Sequence, residues 1–227
     1  MILNVVLKMI LRSWWRNKVF FLVSVASLAL GLACTNLLMT YFVHEHGLEG
    51  RNPDRDRMFF LRQDDPMTEG KRVAFAGAEI PPQLKQSYAE VENFLRLGKL
   101  DLLYCKVNEQ KVEGDFKMLS ADTTLTNFFD YCTEEGSLSQ VLCQPGKVAL
   151  SEACGRRLFG GKQTVGKQVE AHFRFGEVRT YEVAAVLKKR EQSLLQFDML
   201  IAHDPDFFWG GLTLLKLTPG TDAGHLA

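Results

Sequence analysis

The sequence lacks an excess of charge of either sign. Its 27 lysine and arginine residues are matched by 27 aspartate and glutamate residues, so the formal net charge at pH 7 is zero. Proteins that bind nucleic acids concentrate basic side chains against the phosphates, and this composition does not favour such a surface. We therefore expect no nucleic-acid partner. The 227 residues are enough for one sizeable folded domain and a membrane segment.

Sequence motifs for catalysis, metal binding and nucleotide binding are also missing. The histidines of HEH (44–46) do not have the spacing of a zinc protease, because Leu48 stands where the second histidine would be. The GGK at 160–162 has neither the earlier glycine nor the following hydroxyl of a phosphate-binding loop. No serine lies in a GxSxG elbow, and HDPD (203–206) is interpreted as a turn rather than as a metal site. We predict a protein without enzymatic activity, metal or cofactor.

Cysteines are few and have no metal-ligand spacing. The five are Cys34, Cys105, Cys132, Cys143 and Cys154. Cys132 and Cys143 enclose a short loop that contains glycine and serine, and a disulfide between them would contribute roughly 2–4 kcal/mol in an oxidising compartment. Free thiols are the alternative, and the sequence leaves both open.

A long apolar run is what the sequence does contain. From Val19 to Val43 it reads VFFLVSVASLALGLACTNLLMTYFV, without a charged residue. At ~1.5 Å per residue a helix of this length covers roughly 37 Å, enough to cross a ~30 Å hydrocarbon core. We predict an uncleaved transmembrane helix over 19–43, because the run is too long for a cleaved signal peptide. A lipoprotein signal that places a lipid on Cys34 and a buried helix of a soluble protein are the alternatives.

Residues 1–18 are predicted to form a cytoplasmic amphipathic helix in the membrane interface, and a simple extension of the membrane helix is the alternative. Its apolar residues recur at helical spacing, opposite a polar row. The apolar set is Leu3, Val6, Leu7, Ile10, Leu11 and Trp14, and the polar row is Asn4, Lys8, Arg12 and Arg16. Four lysine or arginine residues precede the apolar run and three follow it closely, so the positive-inside rule places the N-terminus in the cytoplasm.

Small residues recur within the predicted membrane helix. Ser27, Gly31 and Thr35 are four residues apart and therefore share one face of a helix. Small side chains at this spacing allow a second membrane helix to approach closely. We expect this face to pack against another membrane helix.

After the membrane helix, the sequence predicts an α+β domain over 44–227. Segments rich in β-branched and aromatic residues alternate with turn signals, and three positions carry helix-start signals. Helices are expected after Pro81-Pro82, after Asp122 or Thr123, and after Ser151. The expected strands are 57–63, 71–76, 91–97, 102–107, 111–120, 147–150, 167–175, 179–187 and 212–217.

Several blocks together resemble the MacB/FtsX-like permeases of ABC transporters. LKMILRSWWRNK, LALGLACTNLLMTYFVHEH and NPDRDRMFFLRQ are similar to the family's basic opening segment, first membrane helix and following strand. SADTTLTNFFDY resembles its Ala-Asp pair before a short Phe-Phe helix. The densest similarity lies in KVALSEACGRRLFGGKQTVGKQVEAHFRFGEVRTYEVAAVLKK. Its structural determinants are Ser151, Glu152, Leu158, Phe159, Gly160, Gly166 and Lys167.

The resemblance implies a permease subunit, or its N-terminal fragment, in the bacterial inner membrane. Members of the family pair with a cytoplasmic ATPase and pass its motion to a periplasmic domain, which expels peptide, drug or lipoprotein cargo. In this chain Leu7, Ile10, Leu11 and Arg12 would contact the ATPase. The resemblance also implies a homodimer or heterodimer of permeases. The alternatives are a membrane-anchored extracytoplasmic sensor or binding domain without transport activity, and a tethered periplasmic enzyme.

The family pattern extends beyond this sequence. Such permeases continue into a second half of the core domain and into further membrane helices, whereas this sequence ends at Ala227. We therefore expect the core domain over 44–227 to be incomplete at its C-terminus. An incomplete domain would expose an apolar strand edge near Leu212–Leu217.

Overall fold

The structure is a computed structural model that describes residues 18–47, 52–65, 70–161, 163–188, 193–205, 210–221 and 223–226. The chain divides into two compact units, residues 1–48 and 49–227. The first unit contains one long helix, and the second contains all the described strands and the shorter helices.

Helix α1, Lys18–Gly47, is the described part of the first unit. Its segment Lys18–Val43 is long and apolar enough to cross a membrane. The side chains of this segment are exposed, which disagrees with the alternative of a helix buried in a soluble protein. The predicted N-terminal apolar helix is confirmed.

The second unit is a mixed α/β domain, as the sequence predicts. The helices are α2 (Ile80–Ser87), α3 (Leu125–Phe128), α4 (Leu138–Cys143) and α5 (Glu152–Phe159), with 3-10 turns at Arg55–Arg57 and Ala223–Leu226. The strands are β1 (Met58–Phe60), β2 (Gln63–Asp64), β3 (Arg72–Val73), β4 (Ala76–Gly77), β5 (Val91–Val107), β6 (Gln110–Glu113), β7 (Lys117–Ala121), β8 (Thr133–Gly136), β9 (Lys147–Ser151), β10 (Gln168–Phe173), β11 (Val178–Leu187), β12 (Met199–Ala202) and β13 (Gly210–Leu217).

Six of these strands close on themselves to form a small barrel. Their order is β5, β10, β11, β9, β12 and β7, and β7 pairs again with β5. The contacts are antiparallel except for the parallel pairs of β11 with β9 and of β7 with β12. A closed ring has a neighbour on both sides of every strand and therefore no open edge strand, which is the defining property of a barrel.

Alternate residues of the barrel strands point inward and fill it. The buried interior set is Leu100, Cys105, Val107, Met118, Val148, Leu150, Val169, Ala171, Phe173, Tyr181, Val183, Met199 and Ile201. Cys154 and Leu158 of α5 join this cluster, so the helix covers one end of the barrel. Along β9, β10, β11 and β12 the members of this set are two residues apart, because successive side chains of a strand point to opposite faces of the sheet.

A second apolar cluster lies outside the barrel wall. Helices α3 and α4 contribute Leu125, Phe128, Leu138 and Val141, which pack on outward-facing strand residues such as Ala149. This outer layer also contains Leu95 of β5 and Leu214 of β13. The domain therefore has two cores that share one wall of strands.

Strand β5 runs without interruption where the sequence predicts two strands, 91–97 and 102–107. The glycine, lysine and aspartate of the segment between them suggest a turn, but Gly98 pairs with Ser120 and Asp101 pairs with Lys117. Pairing with β7 keeps this stretch extended. The first part of β5 pairs with β13, and the last part pairs with β6 and β10.

Other predicted strands are wrong in their bounds. The predicted strand 111–120 is split into β6 and β7, the strand 57–63 is shortened to β1 and β2, and 71–76 becomes β3 and β4. Strands β8 and β12 and helix α4 were not predicted. These elements are only four to six residues long, too short to show a clear period.

The predicted exposed edge near Leu212–Leu217 is wrong. Strand β13 pairs with β5 along one side, and with β1 and β4 along the other. Leu214, Leu215 and Leu217 are consequently buried. The reason is that β1 and β4, which precede β5 in the chain, pair with the edge of β13 that β5 leaves open.

Helix α5 begins and ends where the sequence predicts. The Ser151 hydroxyl accepts a hydrogen bond from the Cys154 backbone N–H at 3.2 Å, and Glu152 occupies the first turn. Gly160 ends the helix in the left-handed conformation at φ 70°. Leu158 is buried in the barrel cluster, and Lys167, next to the Gly166 turn, lies 4.9 Å above the ring of Phe159.

The two cysteines considered for a disulfide carry free, exposed thiols in the structure. Cys132 and Cys143 are separated by strand β8 and helix α4 rather than by a flexible loop. Strand β8 is fixed by its pairing with β11, and α4 packs into the outer core. Both thiols are free in the structure, and a disulfide between them in an oxidising compartment stays a prediction.

Gly136 of β8 approaches the backbone of β11 too closely for any side chain. A Cβ atom at Gly136 would lie 2.0 Å from the carbonyl oxygen of Ala184, and its φ is +75°. Gly146 has a similar φ of +80° but open space around the same position. Both glycines have a positive φ, but only Gly136 has a close backbone contact. A difference between alanine substitutions at the two positions therefore measures the effect of the steric contact alone.

We predict that Gly136→Ala lowers the free energy of unfolding by about 2 kcal/mol more than Gly146→Ala, because only the first adds a steric clash to the strained backbone. Urea unfolding of the full chain in detergent, followed by circular dichroism, measures both variants. Equal losses for the two variants would contradict the close approach of β8 and β11.

Candidate functional site

The first described residues after helix α1 are fastened to the domain. The side-chain oxygen of Asn52 accepts a hydrogen bond from the Asp54 backbone N–H at 3.0 Å, which forms a tight turn around Pro53. The side-chain nitrogen of Asn52 donates to the carbonyl of Phe128 at 2.5 Å. The chain is thus held on α3 at the point where it joins the second unit.

Four charged side chains continue this attachment. Asp54 accepts hydrogen bonds from both Lys216 and Arg57. Arg57 also donates to a carboxylate oxygen of Glu92 at 2.6 Å and to the Leu217 carbonyl at 2.8 Å. The ammonium of Lys216 lies 3.7 Å from the other Glu92 oxygen. We call Asn52, Asp54, Arg57, Glu92 and Lys216 the junction.

The junction depends on a lysine that is almost completely removed from water. The Lys216 side chain is 9% exposed, in a strand whose neighbours Leu215 and Leu217 are buried. A buried ammonium group is tolerated only when anions and hydrogen-bond acceptors compensate its lost hydration. Asp54, Glu92 and the Asn127 carbonyl, at 3.4 Å, supply that compensation.

The junction charges stabilise one another in their ionised forms. Hydrogen bonds from Lys216 and then from Arg57 lower the pKa of Asp54 below its ordinary value. The hydrogen bond to Asp54, followed by that to Glu92, raises the pKa of Arg57. Asp54 and Arg57 therefore stay charged at neutral pH, and the network connects the segment after α1 with the start of β5 and the end of β13.

A second ion pair joins the first half of β5 to the residue that follows β7. Asp122 accepts hydrogen bonds from the Arg96 side chain at 2.7–3.2 Å and from its backbone N–H at 2.9 Å. The prediction that Asp122 or Thr123 caps helix α3 is wrong, because Thr124 occupies the cap position without a side-chain capping bond. The carboxylate of Asp122 is engaged by Arg96 instead, and the Thr124 hydroxyl donates to the Phe94 carbonyl at 2.7 Å.

His203 lies near this ion pair, at the end of β12. Its backbone N–H donates to the Ala121 carbonyl at 2.8 Å, and its side chain is half-buried. Burial lowers the pKa of His203, and the Arg96 guanidinium lowers it further, while Asp122 and Asp204 act in the opposite direction. The folded protein therefore disfavours the protonated imidazole.

The residues predicted to contact an ATPase and those predicted to pack against another membrane helix both belong to the N-terminal unit. Leu7, Ile10, Leu11 and Arg12 lie outside the described residues. In α1 the hydroxyls of Ser27 and Thr35 donate to the carbonyls of Val23 and Gly31, each at 2.8 Å. A Cβ atom added at Gly31 would meet nothing within 4 Å, so this face leaves room for close approach. Packing of this face against another helix stays a prediction.

The described residues contain no cluster of three or more histidine, cysteine, aspartate or glutamate side chains that could hold a metal ion. A small cavity of about 40 Å³ is lined by Tyr131, Ser151, Leu187, Lys188, Leu195, Gln196 and Phe197. That volume suits one or two water molecules rather than a substrate. The junction is therefore the arrangement of polar side chains that most needs a functional explanation.

Sequence reasoning missed the junction residues, although one signal was present. Lys216 interrupts the apolar strand LTLLKL, and a charge in a buried strand requires a partner of opposite sign. Its partners Asp54 and Glu92 are far away in the sequence, so only the folded chain shows which acids they are.

We predict that Lys216→Met lowers the free energy of unfolding by about 3 kcal/mol, because it leaves two acids facing a single arginine. Urea unfolding of the full chain in detergent measures the loss. Lys99→Met is the matched control, since the Lys99 side chain on β5 is 76% exposed and its removal should change stability by less than about 0.5 kcal/mol. A loss no larger than that of the control would show that the junction does not stabilise the domain.

We also predict that the stability of the domain falls as the pH drops below about 6.5, and that His203→Gln removes part of this fall. The folded state holds the pKa of His203 below its ordinary value of 6.5, so the unfolded chain binds more protons between the two values. Urea unfolding of both proteins at about pH 7.5 and about pH 5.5 tests this. Identical pH dependence in the two proteins would contradict the prediction.

Comparison of the sequence with protein-family models gives no match, and comparison with curated proteins gives none either. Comparison of the structure does find similar folds. A domain assigned to a permease protein of Porphyromonas gingivalis is 19% identical with a TM-score of 0.62, over 77% of this chain and 81% of that one.

Two further structures are similar over most of their length. The periplasmic region of MacB from Actinobacillus actinomycetemcomitans is 10% identical with a TM-score of 0.51, over 74% of this chain and 77% of that one. The extracellular domain of the ABC-type transporter YknZ from Gram-positive bacteria is 15% identical with a TM-score of 0.54, over 72% of this chain and 83% of that one. The chain therefore combines an N-terminal apolar helix with a mixed α/β domain that has the fold of these permease and transporter domains.

Proposed function

We propose that this chain is a permease subunit, or the N-terminal part of one, in an ABC-type export system. Helix α1 crosses the membrane with its N-terminus in the cytoplasm, and the second unit lies outside the cytoplasm, in the periplasm of a bacterium. The fold shared with the permease and transporter domains supports this proposal. The apolar length of α1 supports the membrane location.

The junction is the observation that carries the mechanism. A displacement of a membrane helix acts on the body of an attached domain only when the chain that enters the domain is fixed to that body. Here the chain after α1 is held by Asn52 on α3 and by Asp54 and Arg57 on β5 and β13. Because β5 continues into the barrel, a pull on the segment 52–57 acts on the whole domain. The protein couples motion rather than catalysing a reaction.

The source of that motion is a partner ATPase in the cytoplasm. The predicted amphipathic helix over 1–18 supplies its contact through Leu7, Ile10, Leu11 and Arg12. The face of Ser27, Gly31 and Thr35 then packs against a further membrane helix, from a second permease copy or a different permease. Peptide, drug or lipoprotein cargo outside the cytoplasm is moved by the domain.

An affinity purification tests the partnership. The tagged chain is purified from solubilised membranes of its own host, and co-purification of an ABC-type ATPase is scored. We expect recovery of the ATPase, and its loss when Leu7, Ile10 and Leu11 are all changed to Asp, because the charges remove the apolar contact face. Changing the same three residues to Met keeps that face apolar and should retain the ATPase.

The membrane fraction of each variant controls for insertion. A chain that is folded and inserted but recovers no ATPase in any detergent would contradict the transport role. Such a result would favour a membrane-anchored binding domain that needs no ATPase. Loss of the ATPase with the Met variant as well would show that the predicted contact face is wrong.

A further inference from the structure

Aromatic side chains are exposed at the end of the domain that carries the junction. Phe59 and Phe60 of β1 are 38% and 40% exposed, and Tyr88, just after α2, is 45% exposed. Met58 pairs with Lys216, and the Tyr88 carbonyl accepts a hydrogen bond from the first residue of β5 at 3.2 Å. All three aromatic residues therefore lie close to the junction.

The covalent chain limits how far this end can be from the membrane. Only residues 48–51 separate the end of α1 at Gly47 from Asn52. Five steps of extended chain reach at most roughly 18 Å. The junction holds Asn52, and β1 follows directly after Arg57, so this segment cannot release β1 to a greater distance without breaking the junction.

The chemistry of β1 fits the boundary between lipid and water. Phenylalanine and tyrosine side chains gain from partial burial among lipid headgroups, and arginine side chains reach the phosphates there. Arg55 and Arg62, on either side of β1, are both exposed. Among the described strands β1 pairs only with β13, so its other edge, flanked by Phe59 and Phe60, faces away from the domain.

We propose that β1 and Tyr88 rest on the membrane surface, with Phe59 and Phe60 in the headgroup layer of the leaflet that α1 enters. This rests on the membrane span proposed above. The lipid surface thereby becomes a second attachment of the domain, next to the junction.

Fluorescence of single tryptophans tests the contact. Trp14, Trp15 and Trp209 are first replaced by Phe, and the full chain is reconstituted in phosphatidylcholine vesicles with or without a lipid that carries a nitroxide on its headgroup. Phe59→Trp and Phe60→Trp report on β1. Phe175→Trp is the matched control, because Phe175 is 93% exposed and lies in the β10–β11 hairpin, beside the middle of β5.

We expect the nitroxide to remove about half of the fluorescence of Phe59→Trp and Phe60→Trp, and less than about a tenth of that of Phe175→Trp. Phe20→Trp, at the start of the apolar run of α1, reports insertion of the helix itself. Quenching of the position-20 tryptophan without quenching at β1 would overturn the proposal and leave the membrane span intact. Quenching at β1 no stronger than at the hairpin would also overturn it.

Absence of quenching at position 20 would instead refute the membrane span, and the proposal with it.

A second copy of the chain is the rival occupant of β1. It would shield the tryptophans from the nitroxide, and their emission would shift to longer wavelength as the protein is diluted in the vesicles. That dependence on dilution would overturn the lipid contact in favour of pairing between copies.

Discussion

The architecture of the domain depends on one long strand that uses both of its edges and pairs with four other strands along its length. Strand β5 holds β7 and β6 on one edge, and β13 and β10 on the other. Without that double pairing the barrel could not close, and β13 and β1 would have no support. The pairing of β5 with β10 shifts register between His172 and Phe173, which leaves Leu103 without a partner in that ladder and bends the strand locally within the barrel.

Two different kinds of interaction hold the two ends of this strand. Its second half lies in the apolar barrel core, where burial is the stabilising term and no direction is preferred. Its first half carries Glu92 and Arg96, whose ion pairs have fixed partners and fixed geometry. The start of β5 is therefore attached to the segment after α1 by charged hydrogen bonds, whereas its second half is held mainly by packing in the barrel.

Local signals in the sequence were enough for part of this structure. The apolar run gives α1, and Ser151 and Gly160 delimit α5 because caps act on neighbouring residues. The path of β5 through Gly98 was not predictable, since its extended form depends on strands that come later in the chain. The junction was not predictable for a similar reason, because its acids and Lys216 meet only after β13 has been placed beside β1 and β5. Charge alone indicated that Lys216 needs a partner, without indicating which one.

The interior of the barrel is filled by side chains, which has a consequence for what the ring can contain. Six strands enclose a space that their own side chains and helix α5 occupy, and the buried residues include Phe173, Met118 and Met199. The described strands of this ring therefore enclose a packed core and leave no open channel between them, unlike wide barrels whose interior holds water.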